Sequence, residues 1–193
     1  MSASQNQYVK AVVYDLGSEN LRVFENTDMK DVVRSFRVRS VQLLHALGVA
    51  CTESVILVAP NRVNDIPNTI NRVRYLYERL NETLRRNNFN VQLRPIIEVL
   101  DLTSDQANRL IPIAERRLLS ALDQTIEHVN EIIESLQEIT DTQRRLRIRA
   151  NLRRLKNNWS VLFNYARQLG IDISRDYNFL IDLIDSAIGR CSE

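Results

Sequence analysis

Glycine and proline are scarce in this chain, four of each among 193 residues. So few glycines leave no material for a glycine-rich phosphate cradle, and neither G-x-x-x-x-G-K-[ST] nor G-x-G-x-x-G occurs. The two cysteines, Cys51 and Cys191, lie far apart without paired neighbours, which argues against a disulfide framework and against a zinc site. The two histidines, His45 and His128, fall in different helical stretches with no Cys or second His beside them to complete a metal set. No Ser-His-Asp or Cys-His grouping is readable either, so no catalytic residue and no cofactor is expected. No apolar run approaches the ~20 residues of a membrane span, and Met1–Gln7 is polar rather than a leader. A soluble chain in a reducing cytoplasm, without a membrane partner, is the expectation.

What the chain has in quantity is arginine, 23 against three lysines. Arginine favours planar, two-pronged contacts to carboxylate or phosphate, although codon bias would produce the same count. The net charge is only +2, so any basic surface has to be local.

The first half alternates strand and helix signals. Val9–Leu16 (VKAVVYDL) is a β-branched apolar run ended by Gly17-Ser18-Glu19-Asn20, and Leu21–Glu25 can follow as a second short strand. A helical pattern runs from Asp31 to Gly48. Ser54–Ala59 (SVILVA) is a continuous apolar strand, and a helix follows from about Pro67 to Arg86 with Ile70, Val73, Tyr77, Leu80 and Leu84 as its seam, closed by Asn87-Asn88. Val91–Leu100 reads as a third main strand, with Pro95 implying an edge, a bulge or a break. Strand, helix, strand, helix, strand with short connections implies a Rossmann-like α/β domain over residues 1–102, its short sheet mostly parallel.

Residues 103–193 read as an all-α extension. Thr103 and Gln106 have capping-box spacing, and Pro112 should kink the helix they open or mark a restart. A long antiparallel hairpin should occupy about 112–169, and a last helix about 176–189, with Phe179, Leu180, Leu183, Ile184 and Ile188 on its buried face. Leu119, Leu122, Ile126, Val129, Ile133 and Leu136 form one 3-4 seam, and Ile148, Leu152, Leu155, Trp159, Leu162, Ala166 and Leu169 the other, separated by Thr140-Asp141-Thr142. The first helix is acidic (Asp123, Glu127, Glu131, Glu134, Glu138) and the second basic from Arg144 to Lys156, which predicts charge facing charge. So long a seam offers more apolar surface than one small domain covers, and a homodimer is expected.

Three clusters could bind something. The basic run could track a phosphate backbone or be consumed by the acidic helix; Arg144, Arg145 and Arg149, nearest the turn, are those expected to be free. Arg72, Arg79 and Arg86 recur every seven residues opposite the apolar seam, and with Glu78 and Glu82 nearby they read as a solvated face. In an open parallel sheet ligands bind beyond the carboxyl ends of the strands, here Gly17, Ser18, Glu19 and Asn20 after one strand and Asn61 and Arg62 after another, residues equally suited to sharp turns.

VKAVVYDLGSEN, SFRVRSVQLLHAL, ESVILVAPNRV and FNVQLRPI, within residues 9–97, resemble the sensor domain of the CRISPR-associated Rossmann-fold family, whose members detect cyclic oligoadenylate. The resemblance implies that Gly17-Ser18-Glu19-Asn20 and Asn61-Arg62 face a cyclic oligonucleotide at a homodimer interface. The Arg…His pair of the family's ribonuclease module has a match in spacing only at Arg39 and His45, in the first helix rather than the C-terminal helices. RVRSVQLLHALGVACTESVILVAPN is also similar to the N-terminal part of chromate-resistance regulators and to their ferredoxin-like relatives among small CRISPR adaptation proteins. That resemblance implies a metal-binding role for Asp15. The functional expectation is therefore a non-catalytic regulator that binds a ligand or nucleic acid. The alternatives are an interaction or assembly protein whose helical hairpin docks a protein partner, and a metal-dependent nuclease using Asp15.

Overall fold

A computed structural model describes residues 9–17 and 23–191. The chain divides into two compact units, residues 1–111 and 112–193.

The first unit contains β1 (Lys10–Asp15), α1 (Lys30–His45), β2 (Gly48–Ala50), β3 (Val55–Val58), a 3-10 helix (Pro60–Asp65), α2 (Ile66–Arg86) and β4 (Ile96–Asp101). The sheet order is β2-β3-β1-β4, and every neighbouring pair is antiparallel. This is the split βαβ connectivity of ferredoxin-like sandwiches. It corrects the expectation of a mostly parallel, Rossmann-like sheet. The crossover through α1 does deliver a strand parallel to β1, but that strand is β2, only three residues long, which the sequence pattern between Gly48 and Ser54 does not announce. From β2 a tight turn, in which the Cys51 N–H donates to the Val55 carbonyl over 2.8 Å, sends β3 back between β2 and β1. Gly48 is required there: a Cβ at this position would run into the carbonyl oxygen of Leu57 on the paired strand.

Val12 and Tyr14 of β1 and Ile56 and Val58 of β3 point to one face of the sheet, where they pack with Val33 and Leu44 of α1 and Val73, Tyr77, Leu80 and Leu84 of α2. The helices close by their own local chemistry. Asn88 takes the left-handed conformation (φ 62°) beyond α2, which lets Phe89 N–H reach the Leu84 carbonyl and Asn88 N–H the Arg85 carbonyl. Phe89 then meets Phe24, with ring centroids 5.5 Å apart. Phe24 belongs to a turn rather than to the expected strand over 21–25, its carbonyl accepting from Thr27 N–H and Oγ1; Leu21 and Arg22 lie outside the described residues.

Between α2 and β4 the chain is held by Asn81. Its buried side chain donates to the Leu93 carbonyl (2.8 Å) and accepts from the Leu93 N–H (2.9 Å), replacing the ladder partners an extended segment would otherwise need. Consequently β4 starts after Pro95 rather than at Val91. The Leu102 N–H donates to Val9, so along β4 the even-numbered residues bond inward and the odd-numbered ones face the open edge. Pro95, odd-numbered and without an N–H, sits where none is needed.

α3 (Ser104–Ser135) opens with the expected capping box: Gln106 N–H donates to Thr103 Oγ1, and Thr103 N–H to Gln106 Oε1. Pro112 lies inside this helix without ending it. The second unit continues with α4 (Thr142–Gln168) and α5 (Ser174–Arg190). Asp141 caps α4 by accepting from Gln143 N–H over 2.8 Å, and Gly170 (φ 75°) ends it in the same six-residue motif that closes α2. Leu122, Val129, Leu152, Trp159, Leu180 and Ile184 are buried, whereas Leu119, Ile126 and Ile133, expected in the seam, are half-buried at its flank. Phe179, expected inside, is 56% exposed. Among the described residues no helix is long and apolar enough to cross a membrane.

Candidate functional site

Of the strand-end residues expected to bind together, Gly17 is not brought to Asn61 and Arg62. Because β3 runs antiparallel to β1, their carboxyl ends lie at opposite ends of the sheet, and Gly17 is separated from Asn61 and Arg62. Gly17 and Arg62 each make local contacts. Asp15 accepts the Gly17 N–H over 2.8 Å, and Gly17 takes φ 68°. Arg62 donates through Nε to the Ala46 carbonyl just beyond α1 (3.2 Å) and pairs with Asp65 (2.8 Å). Asn61 stands in the same 3-10 helix. Ser18, Glu19 and Asn20 lie outside the described residues.

The basic helix divides differently from its expected pattern. Arg145 is a structural clamp: Nε donates to the Ile139 carbonyl (2.7 Å), Nη2 to Leu136 (3.3 Å) and Nη1 to Arg190 (3.2 Å). One guanidinium thus takes the carbonyls left open past α3 and at the end of α5. Arg149 is half-buried, its Nε without a hydrogen-bond partner among the described residues. Both arginines stand near Cys191, whose thiol burial pushes up while their positive charges oppose the shift. Arg144 alone of the three is exposed. The charge zipper with α3 is absent among the described residues, where no ion pair joins α3 to α4. Lys156 instead reaches Asp185 of α5, with 2.7 Å to each carboxylate oxygen.

Among the described residues, arginines outside ion pairs stand not only on α4, where Arg144, Arg147, Arg153 and Arg154 are exposed, but also on the helices of the first unit. α1 carries Lys30, Arg34, Arg37 and Arg39 against Asp31, and α2 carries Arg72, Arg74, Arg79, Arg85 and Arg86 against Glu78 and Glu82. Among the described residues none of these cations makes an ion pair. The acids of α2 lie along the same helix but hold none of its arginines within salt-bridge distance, and Arg72, Arg79 and Arg86 are all exposed, a solvated face as expected.

Between the two helices lies an open cavity of about 450 Å³, lined by Arg39, Gln42 and Leu43 of α1 and by Arg72, Tyr75 and Leu76 of α2. Tyr75 is 57% exposed, while Tyr77 is buried, its hydroxyl bonded to the Leu16 carbonyl. Tyr75 is not among the residues expected from the sequence to bind, because it lies off the apolar seam of α2. The signal was there: Tyr75 falls off the Val73, Tyr77, Leu80 stripe and three residues after Arg72, on the outward side.

Of the histidines, His45 hydrogen-bonds with the Tyr14 hydroxyl (3.2 Å) and His128 lies 3.5 Å from Glu131 on the surface. No group of three or more His, Cys, Asp or Glu side chains that could hold a metal comes together among the described residues. Asp15 therefore belongs to no such group there. No family model, no curated protein and no solved structure matches this chain.

Proposed function

We propose that this protein is a non-catalytic nucleic-acid-binding regulator that grips the phosphate backbone with the arginines of α1 and α2. The observation that supports this reading is the set of exposed arginines on two adjacent helices, free of ion pairs, beside an exposed tyrosine. An unpaired guanidinium layer is a ready acceptor of phosphate charge, and releasing the counterions condensed on the nucleic acid supplies the free energy. The basic stretch of α4 is a second such surface: Arg145 is spent on helix ends and Arg149 is half-buried, but Arg144, Arg147, Arg153 and Arg154 are exposed and free of ion pairs among the described residues. What sets α1 and α2 apart is the exposed tyrosine beside their arginines.

Fluorescence anisotropy with labelled RNA and DNA of about 20 nucleotides, across a series from about 50 to 200 mM salt, tests the reading. Binding should weaken steeply with salt, and Arg79→Glu/Arg86→Glu should lower both the affinity and the salt slope, by roughly one for each lost phosphate contact. Arg144→Glu should have a smaller effect. Absence of binding at low salt, or indifference to the α2 charge reversals, would overturn it.

A second reading is favoured by the apolar side chains on the outside of the helical unit, where Leu146, Val161 and Phe179 are each about half exposed. Exposed residues of this kind suit docking of a protein partner. Loss of a concentration-dependent oligomer or complex in Val161→Ser and Phe179→Ser variants, with nucleic-acid binding unchanged, would support it.

A further inference from the structure

The cavity between α1 and α2 combines features that phosphate binding alone does not require. A backbone-gripping surface needs only cations, whereas here an aromatic ring, 57% exposed, lines the opening together with them, with an aliphatic wall and an amide in the same opening. Leu43 and Leu76 supply the apolar wall, Tyr75 the aromatic one. Gln42 carries both a donor and an acceptor on one planar group, the complement of a base edge. Arg39 and Arg72 line the opening from opposite helices. A volume near 450 Å³ falls within the range of small-molecule sites and is ample for one nucleobase with its sugar.

Stacking is available only to a base whose face is free. In a duplex both faces are covered by neighbouring pairs, and extrusion costs a few kcal/mol, so such a slot discriminates between strands by their pairing state rather than by sequence. We infer that the α1–α2 cavity receives one unpaired base of a single-stranded nucleic acid, Tyr75 stacking on it while Arg39 and Arg72 hold the flanking phosphates. The inference rests on the nucleic-acid reading above and narrows it to single strands. The arginines that lie outside the cavity, Arg79 and Arg86 among them, would bind either form of nucleic acid by charge.

The test compares a labelled single strand with a blunt duplex of equal length on wild type, Tyr75→Ala and Tyr75→Phe, at several salt concentrations. Wild type should prefer the single strand. Tyr75→Ala should weaken single-strand binding by about 5- to 150-fold, the range of one lost base stack, with duplex binding and the salt slope nearly unchanged. Tyr75→Phe, which keeps the ring, should bind as wild type does. Tyr75 is surface-exposed, so both variants should fold, and matching thermal melts check this. Binding that responds to Arg79→Glu/Arg86→Glu but not to Tyr75→Ala overturns the slot and leaves the broader reading standing. Equal losses in Tyr75→Ala and Tyr75→Phe overturn stacking in favour of a hydroxyl contact. No binding of either strand form at low salt overturns both.

Discussion

The hydroxyl of Tyr77 in α2 donates to the carbonyl of Leu16, 61 residues earlier, across 2.9 Å of buried space. It ties the outgoing end of β1 to the middle of the helical layer. Burial pushes the Tyr77 phenol up to about 12, with Arg37 opposing and Asp15 adding to the shift.

Replacing this tyrosine by phenylalanine leaves the Leu16 carbonyl without its donor and should cost about 1–3 kcal/mol near neutral pH. The raised pKa means that the folded state holds its proton more tightly than the unfolded chain, where the group titrates near 10. The stability this provides is complete below pH 10 and is lost as pH rises towards 12, on the order of 2–3 kcal/mol for a shift of this size. In denaturant titrations across that window the gap between wild type and Tyr77→Phe should close. A constant gap from pH 9 to about 12 would contradict the assignment.

Asn81 should be the most sensitive polar position of the first unit. Asn81→Ala strands both the N–H and the carbonyl of Leu93 in a buried place and should cost about 2–5 kcal/mol. Asn81→Asp keeps the acceptor but loses the donor and buries a carboxylate, so it should not rescue. Urea denaturation gives the free energies, and faster amide exchange at Leu93 in a surviving variant would locate the damage.

Arg145→Ala should destabilise the helical unit by about 1–3 kcal/mol, because three carbonyls lose a charged donor together. Arg145→Lys should recover little, since a single ammonium does not reproduce a planar fork reaching three acceptors. Arg144→Ala should leave the melting temperature within error. Thermal melts of the three variants decide the matter, and a silent Arg145→Ala would remove the clamp from the account.

Much of the local architecture was legible because its causes are local. Thr103 with Gln106, Asn88 after α2, Gly170 after α4 and Pro95 before β4 each act on backbone groups a few residues away, and each marks a boundary or an edge in the structure. The candidate site was legible only in part. The seven-residue stripe of Arg72, Arg79 and Arg86 is visible in the sequence as a solvated face, but spacing along one helix does not reveal that α1 brings Arg39 beside it or whether Glu78 and Glu82 close to salt-bridge distance.

By itself the sequence determined the helices, most strand positions and their caps, through hydrophobic periodicity and turn chemistry that operate within one or two turns of chain. Tertiary structure alone decided the direction of β3, because a three-residue β2 carries too little period-two pattern to register and yet reverses the chain. It also decided which arginines remain available. Arg145 meets the Arg190 carbonyl 45 residues away, and Arg39 shares a cavity with Arg72 and Tyr75 only once α1 packs beside α2. Partners so distant along the chain are set by packing, which no window of sequence contains.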